Sequence, residues 1–255
     1  MYPTLFGFID TYSVMMVLGV AACFGYIELF YRKKGLSKKV MYAIEINACA
    51  SVIAGIVCAI LTQNLYNFIE LGSEYTWTWA MTFYGGLIGG VGCFLLIYFL
   101  IQKKKYGPFL RTTLKIVPAC VTIAHGFGRI GCFLAGCCYG KETDAWYGIL
   151  FPGMEHKVIP TNLFEAIFLI LFSLILLFLA MKWETDYSLA IYAVGYGIFR
   201  FLIEYLRGDH RGNFIPGISP SQFWSIIAVI AGVGYLIYLI VTKTKFNQKQ
   251  ENIAD

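Results

Sequence analysis

Most of this chain reads as hydrocarbon, and the exceptions fall into three stripes. The run FRFLIEYLRGD puts Arg200, Glu204 and Arg207 at i, i+4 and i+7, on one face of a helix. In HGFGRIGC, His125, Arg129 and Cys132 repeat that spacing, and in PTNLFE, Asn162 and Glu165 stand at i and i+3. Three guanidinium groups offer planar, permanently charged donors suited to a phosphate, and Glu204 is spaced to orient Arg200. A plainer reading stands beside this one, in which Arg200 and Glu204 neutralise each other inside a helical bundle. Charges within a membrane helix are costly, and by default they mark function or a buried pair.

The elements that must position these stripes are apolar runs long enough to cross a bilayer. Of 255 residues, 58% are hydrophobic and 14% charged, too little polar surface for a soluble globule of this size. Seven runs, at about 9–31, 41–63, 78–101, 114–135, 160–181, 187–207 and 219–241, predict an all-α, polytopic membrane protein with seven transmembrane helices. The chain reads as a single membrane domain over 1–255 with a polar cytoplasmic tail at 243–255. The first run has no basic start and no small-residue cleavage site, so it reads as a retained helix. Of the 20 basic residues, 14 fall in segments 32–39 and 103–115, at Lys182 and in the tail from Lys243. The positive-inside rule makes that side cytoplasmic and sends the N-terminus outward. The net charge of +5 then reflects attraction to anionic headgroups, and no nucleic-acid motif is present.

With that orientation, five spans hold their polar groups in the outer half. These are Tyr84 in the third, His125, Arg129 and Cys132 in the fourth, Asn162 and Glu165 in the fifth, the arginine stripe in the sixth, and Ser221 and Gln222 in the seventh. They aim at one outer-leaflet cavity, which a phosphate-bearing membrane lipid reaches laterally. Gly85 and Gly86 in YGGLIGG, like Gly126, Gly128 and Gly131, either let helices pack closely or let backbone approach a ligand. The inner halves are almost wholly apolar, which argues against a continuous polar path and so against a lipid transporter. Glu28 and Glu45 are the exceptions, and they lie near the basic loop where they can pair.

Five cysteines, Cys23, Cys49, Cys58, Cys93 and Cys120, lie singly in apolar helices and read as small hydrophobes. Cys132, Cys137 and Cys138 are different. Neither C-x-x-C nor paired histidines accompany them, so spacing argues against zinc and against a thiol–disulfide oxidoreductase. A nucleophilic Cys132 with His125 as base shares a face across two turns, though about 10 Å of helix rise separates them. Local packing and a disulfide remain open. A thiol peptidase would need an orienting Asn or Asp beside His125, and none stands there locally.

At this point GRIGCFLAGCCYG resembles the signature of bacterial prolipoprotein diacylglyceryl transferases, G-R-x-G-N-F-x-N-G-E followed shortly by a glycine. YGGLIGG is similar to the family's HGGLIG, IPTNLFE to HPSQLYE, and GYGIFRFLIEYLR to G-Y-x-x-F-R-x-x-x-E-x-x-R. SPSQFWSI resembles the family's closing M-G-Q-x-x-S-I, and Tyr12 matches a tyrosine of the first span. The resemblance implies phosphatidylglycerol as donor, a prolipoprotein signal-peptide cysteine as acceptor, release of glycerol phosphate, and no metal or other cofactor. It implies that Arg129, Arg200 and Arg207 handle the donor phosphate, that Glu204 orients Arg200, and that Gly140 shapes the outer loop. Several positions depart from the pattern. Cys132 and Ala135 replace two asparagines, Cys137 a glutamate, Tyr84 and Ile159 two histidines, and Gly208 a glutamate. His125 is the nearest substitute for the missing base, and Tyr84 could hydrogen-bond the phosphate. The arginines are kept while their surroundings change, which leaves a sugar, polyol or polymer acceptor as the alternative.

Overall fold

The computed structural model describes residues 4–5, 9–35, 37–107, 109–182, 186–208 and 217–254. Two short strands, β1 (Thr4–Leu5) and β2 (Ile9–Asp10), pair antiparallel ahead of α1 (Thr11–Lys33). There follow α2 (Lys38–Leu71), α3 (Phe83–Ile97), a π turn (Tyr98–Gln102), α4 (Lys103–Tyr106), α5 (Leu110–Ala135), α6 (Thr161–Lys182), α7 (Ser188–Ile203) with a 3-10 turn (Glu204–Leu206), and α8 (Pro220–Ala254). Among the described residues, seven helical segments are long and apolar enough to cross a membrane. Their exposed faces are themselves apolar, as at Leu171, Leu174, Ile175 and Phe178 of α6, which are half exposed. Water would penalise such a surface and lipid does not, so this is a multi-pass membrane protein.

The chain divides into two compact units, one of Ile27–Arg111 and one of Met1–Tyr26 with Thr112–Asp255. In the Ile27–Arg111 unit, α2 and α3 form a hairpin whose approach depends on glycine. A Cβ at Gly85 would collide with the Thr62 side chain and lie 2.8 Å from the Cys58 carbonyl, and one at Gly89 would collide with the Cys58 side chain. Buried Asn47 donates to the Phe94 carbonyl and to Gln102 Oε1, and Asn64 bonds both backbone groups of Thr78. Glu28 pairs with Arg32, as its position beside the basic loop predicts.

The second unit holds the charged stripes. Its apolar core includes Ile116 and Ala119 of α5, Leu169, Leu176 and Ala180 of α6, and Ala190 of α7. Gly126 seats α5 on α6, since a Cβ there would lie 3.1 Å from Ile170 Cγ1. Gly131 seats α5 on α1, with Tyr12 Cδ2 at 2.9 Å from the same imagined atom. A methyl at either place would push the arginine-bearing helix off its neighbours.

Candidate active site

Arg129 faces a fully buried carboxylate. Its Nε lies 2.9 Å from Glu165 Oε2, and Glu165 has no exposed surface. The other oxygen, Oε1, accepts from Tyr196 Oη at 3.1 Å and lies 3.8 Å from His125 Nε2. The His125 and Tyr196 rings meet edge to face, with centroids 5.4 Å apart. Three helices therefore supply one group: α5 gives the arginine and histidine, α6 the carboxylate and α7 the tyrosine. Arg200, one turn beyond Tyr196, lies within electrostatic reach of Glu165.

A second carboxylate organises the end of α7. Glu204 Oε2 is 2.9 Å from Arg200 Nη2 and 3.9 Å from Arg207 Nε, and its Oε1 accepts from Ser219 Oγ at 2.9 Å. Arg200 Nη2 also donates to Ser221 Oγ at 2.8 Å. Arg200 Nη1 is buried and has no hydrogen-bond partner among the described residues. Such an orphaned guanidinium nitrogen is expensive in an apolar surrounding unless an anion meets it. The two serines are held in place by the start of α8. The Gln222 amide N–H donates to Ser219 Oγ at 3.2 Å, and Ser219 N–H donates back to Gln222 Oε1 at 3.1 Å. This is a reciprocal capping box, with Pro220 at the first helical position.

The third component is the turn after α5. Cys137 N–H bonds the Cys132 carbonyl and Gly136 N–H bonds the Phe133 carbonyl, while Gly136 takes φ 73°. That pair of bonds around a left-handed glycine is a Schellman motif. Cys138 is itself left-handed, at φ 60°. The double reversal gathers the sulfurs of Cys132, Cys137 and Cys138 within 4.8 Å of one another. Asn162 Nδ2 holds the Cys137 carbonyl at 2.7 Å, and Thr161 Oγ1 holds that of Cys138 at 3.2 Å. Farther along, Gly140 pairs backbone to backbone with Arg207, and a Cβ there would collide with the Leu206 carbonyl. A hydrogen bond with the Cys132 thiol, helped by the charges of Arg129 and Arg207, lowers the Cys138 thiol to about 5 against the opposing effect of burial. Burial pushes Cys137 up.

The profile described as prolipoprotein diacylglyceryl transferase matches residues 4–238. A phosphatidylglycerol–prolipoprotein diacylglyceryl transferase of Clostridium tetani is 33% identical over 90% of this chain and 93% of its own length. A protein of Clostridium perfringens named phosphatidylglycerol–prolipoprotein diacylglyceryl transferase 2 is 32% identical over 91% of each chain. One of Campylobacter curvus is 28% identical over 94% of this chain and 93% of its own. This chain belongs to the prolipoprotein diacylglyceryl transferase family. Among the departures from the pattern of that transferase family, Gly208 has a direct steric reason. A Cβ there would stand 2.9 Å from the Gly140 carbonyl oxygen, so this backbone leaves no room for glutamate.

Against this geometry the expected site residues separate. The fold gathers Arg129, Glu165 and His125 into one group, and Arg200, Glu204 and Arg207 into another. Tyr12 packs on Gly131 within electrostatic reach of Arg129 and the three thiols. Three residues expected to meet the ligand have other partners. Asn162 uses its amide to hold the thiol turn and its oxygen to accept from Leu163 N–H, and Gln222 spends its oxygen on the cap. Glu165 is the counterion of Arg129. Gly140 supports the loop through backbone contact, and Gly85 and Gly86 serve the hairpin of the other unit. The Tyr84 side chain lies outside the described residues. Cys132 gathers with two thiols, and His125, whose Nε2 faces Glu165, is outside that group. Tyr196 and Ser219 escaped sequence reasoning, although Tyr192, Tyr196 and Arg200 repeat at i, i+4 and i+8, and S-x-x-Q after a loop is a capping signature.

Proposed function

We propose that this protein transfers the diacylglyceryl group of phosphatidylglycerol to the cysteine thiol of a prolipoprotein signal peptide, at the outer leaflet of a bacterial cytoplasmic membrane. The observation that carries this reading is the buried Nη1 of Arg200, which has no hydrogen-bond partner among the described residues, beside a carboxylate that fixes the rest of the guanidinium. A phosphodiester oxygen is the natural acceptor for that nitrogen. The acceptor sulfur attacks the glyceryl carbon that bears the phosphate ester, the S–C bond forms as the C–O bond breaks, and the electron pair leaves on glycerol phosphate. Charge builds on the departing phosphate, and Arg129, Arg200 and Arg207 are the groups to meet it. Family membership and the relatives' names supply the donor and the acceptor class. The distribution of lysine and arginine supports an external N-terminus and an outward site.

The test is an assay of the purified chain in phosphatidylglycerol micelles with a synthetic signal peptide containing the acceptor cysteine. Peptide mass and released glycerol phosphate are read together. A diacylglyceryl mass gain that disappears in Arg200→Ala is expected. Glycerol phosphate released without peptide modification would sink the acceptor assignment, and neither product would sink the donor assignment as well.

A further inference from the structure

The three-thiol cluster is not accounted for by phosphate handling. Cys132 is buried, Cys138 half-buried and Cys137 exposed, so the group spans from the protein interior to an open side. All three sulfurs lie within 4.8 Å of one another, and among the described residues no histidine, carboxylate or fourth cysteine joins them. Zinc–sulfur bonds of about 2.3 Å in a tetrahedron place ligand sulfurs about 3.8 Å apart, a separation close to that of the three sulfurs here. The backbone is already braced, because Asn162 and Thr161 hold the carbonyls of Cys137 and Cys138, and the Schellman bond ties Cys137 to Cys132. Such bracing from neighbouring side chains is what keeps metal ligands oriented.

We propose that Cys132, Cys137 and Cys138 bind one zinc ion through three thiolates and leave its fourth position for the acceptor thiol. Three protein ligands with one open position is the arrangement of catalytic zinc, and a thiol that coordinates such an ion is deprotonated outright. The chemistry required here is S-alkylation, which needs a thiolate poised beside the phosphate-bearing carbon. The acceptor R–SH would bind zinc and lose its proton to solvent. The zinc-bound sulfur then forms the S–C bond, while the C–O pair departs with glycerol phosphate. Zinc keeps its oxidation state throughout. A zinc ion with four thiolates carries two negative charges, and Arg129 and Arg207, both within electrostatic reach of Cys138, stabilise it. The role complements the positions where histidines of the family pattern are replaced by Tyr84 and Ile159. This inference rests on the transferase reading for its acceptor, but the metal site can be measured without turnover.

The experiment uses the full chain, purified in detergent with its thiols reduced, dialysed against zinc chloride and then freed of excess metal. Bound zinc is counted by mass spectrometry in wild type, Cys137→Ser, Cys138→Ser and Cys49→Ser. One zinc per chain is expected in wild type and Cys49→Ser, with affinity falling by more than about tenfold in the other two variants. Cobalt(II) substitution then reads the ligands, since sulfur-to-cobalt charge-transfer absorption reports thiolates, and the ligand-field band reports the fourth position. Adding the acceptor peptide should change that band, and its Cys→Ser counterpart should not. Wild type that retains no zinc with free thiols would overturn the proposal, as would cysteines that resist alkylation until reductant breaks a disulfide among them. Transfer that continues undiminished in Cys138→Ser or after chelation would overturn the role while leaving the transferase reading intact. Zinc and peptide-thiol coordination without any lipid transfer would leave the site standing and sink the transferase reading.

Discussion

Replacing Arg200 by lysine isolates the nitrogen that the phosphate is proposed to meet. In the native site Nη2 serves both Glu204 at 2.9 Å and Ser221 at 2.8 Å, and Nη1 has no hydrogen-bond partner among the described residues. Lysine keeps the charge but has one nitrogen on a flexible stem, and that nitrogen is drawn to the same carboxylate and hydroxyl. The fold should survive, because Glu204 keeps a cationic partner. What disappears is one charge-assisted hydrogen bond to the departing phosphate, worth about 1.5–3 kcal/mol. At 1.36 kcal/mol per decade, kcat/KM should fall by roughly 10- to 150-fold. The assay is glycerol phosphate release in phosphatidylglycerol micelles, with thermal unfolding in the same detergent as the control. Ser221→Ala, which leaves the Arg200–Glu204 pair in place, should cost only about 1 kcal/mol, or fivefold. An Arg200→Lys enzyme within threefold of wild type, equally stable, would refute the assignment of Nη1 to the phosphate.

Four further outcomes follow from the same geometry. Glu165→Ala strands Arg129 without its buried counterion and should destabilise by about 3–5 kcal/mol, whereas Arg129→Met with Glu165→Leu should lose much less; a melt showing the double variant as weak as the single one would contradict this. Gly140→Ala drives a methyl into the Leu206 carbonyl and should cost about 1–3 kcal/mol together with activity, since the loop and Arg207 share that backbone pair. In metal-free protein the Cys138 thiolate persists down to pH about 5, so iodoacetamide should label it at pH 6 and lose its grip as pH falls below 5. Labelling that begins only near the ordinary thiol range would show that the cluster does not hold the charge. Gln222→Ala removes one half of the α8 cap and should lower stability by about 1 kcal/mol, checked by the same melts, with any loss of activity arising through Ser219 and Ser221.

Local periodicity makes the spans and the Arg200–Glu204 pair readable from the sequence alone. Residues at i and i+4 share a helix face whatever surrounds them, so Arg200 and Glu204 were bound to converge, whereas Arg207 reaches the same carboxylate from the extended residue that ends the 3-10 turn. The partner of Arg129 was less legible, because Glu165 sits on another helix and its side chain is equally suited to a ligand. Asn162 and Gln222 are hard to read for a related reason: an amide in a membrane span signals a polar task, and spacing alone does not tell a brace or a cap from a binding group. In Gln222 the signal was present in the S-P-S-Q run. The thiol cluster was hidden most deeply. The spacing of Cys132, Cys137 and Cys138 looks wrong for a metal until the Schellman turn and the left-handed Cys138 fold it back on itself.

That turn also exposes the protein to oxidants. Three sulfurs within 4.8 Å, one of them exposed, are well placed for oxidation, and a single encounter with an oxidant can join two of them. A disulfide between two of them would leave the third thiol alone, so this turn is a redox-sensitive point in the fold.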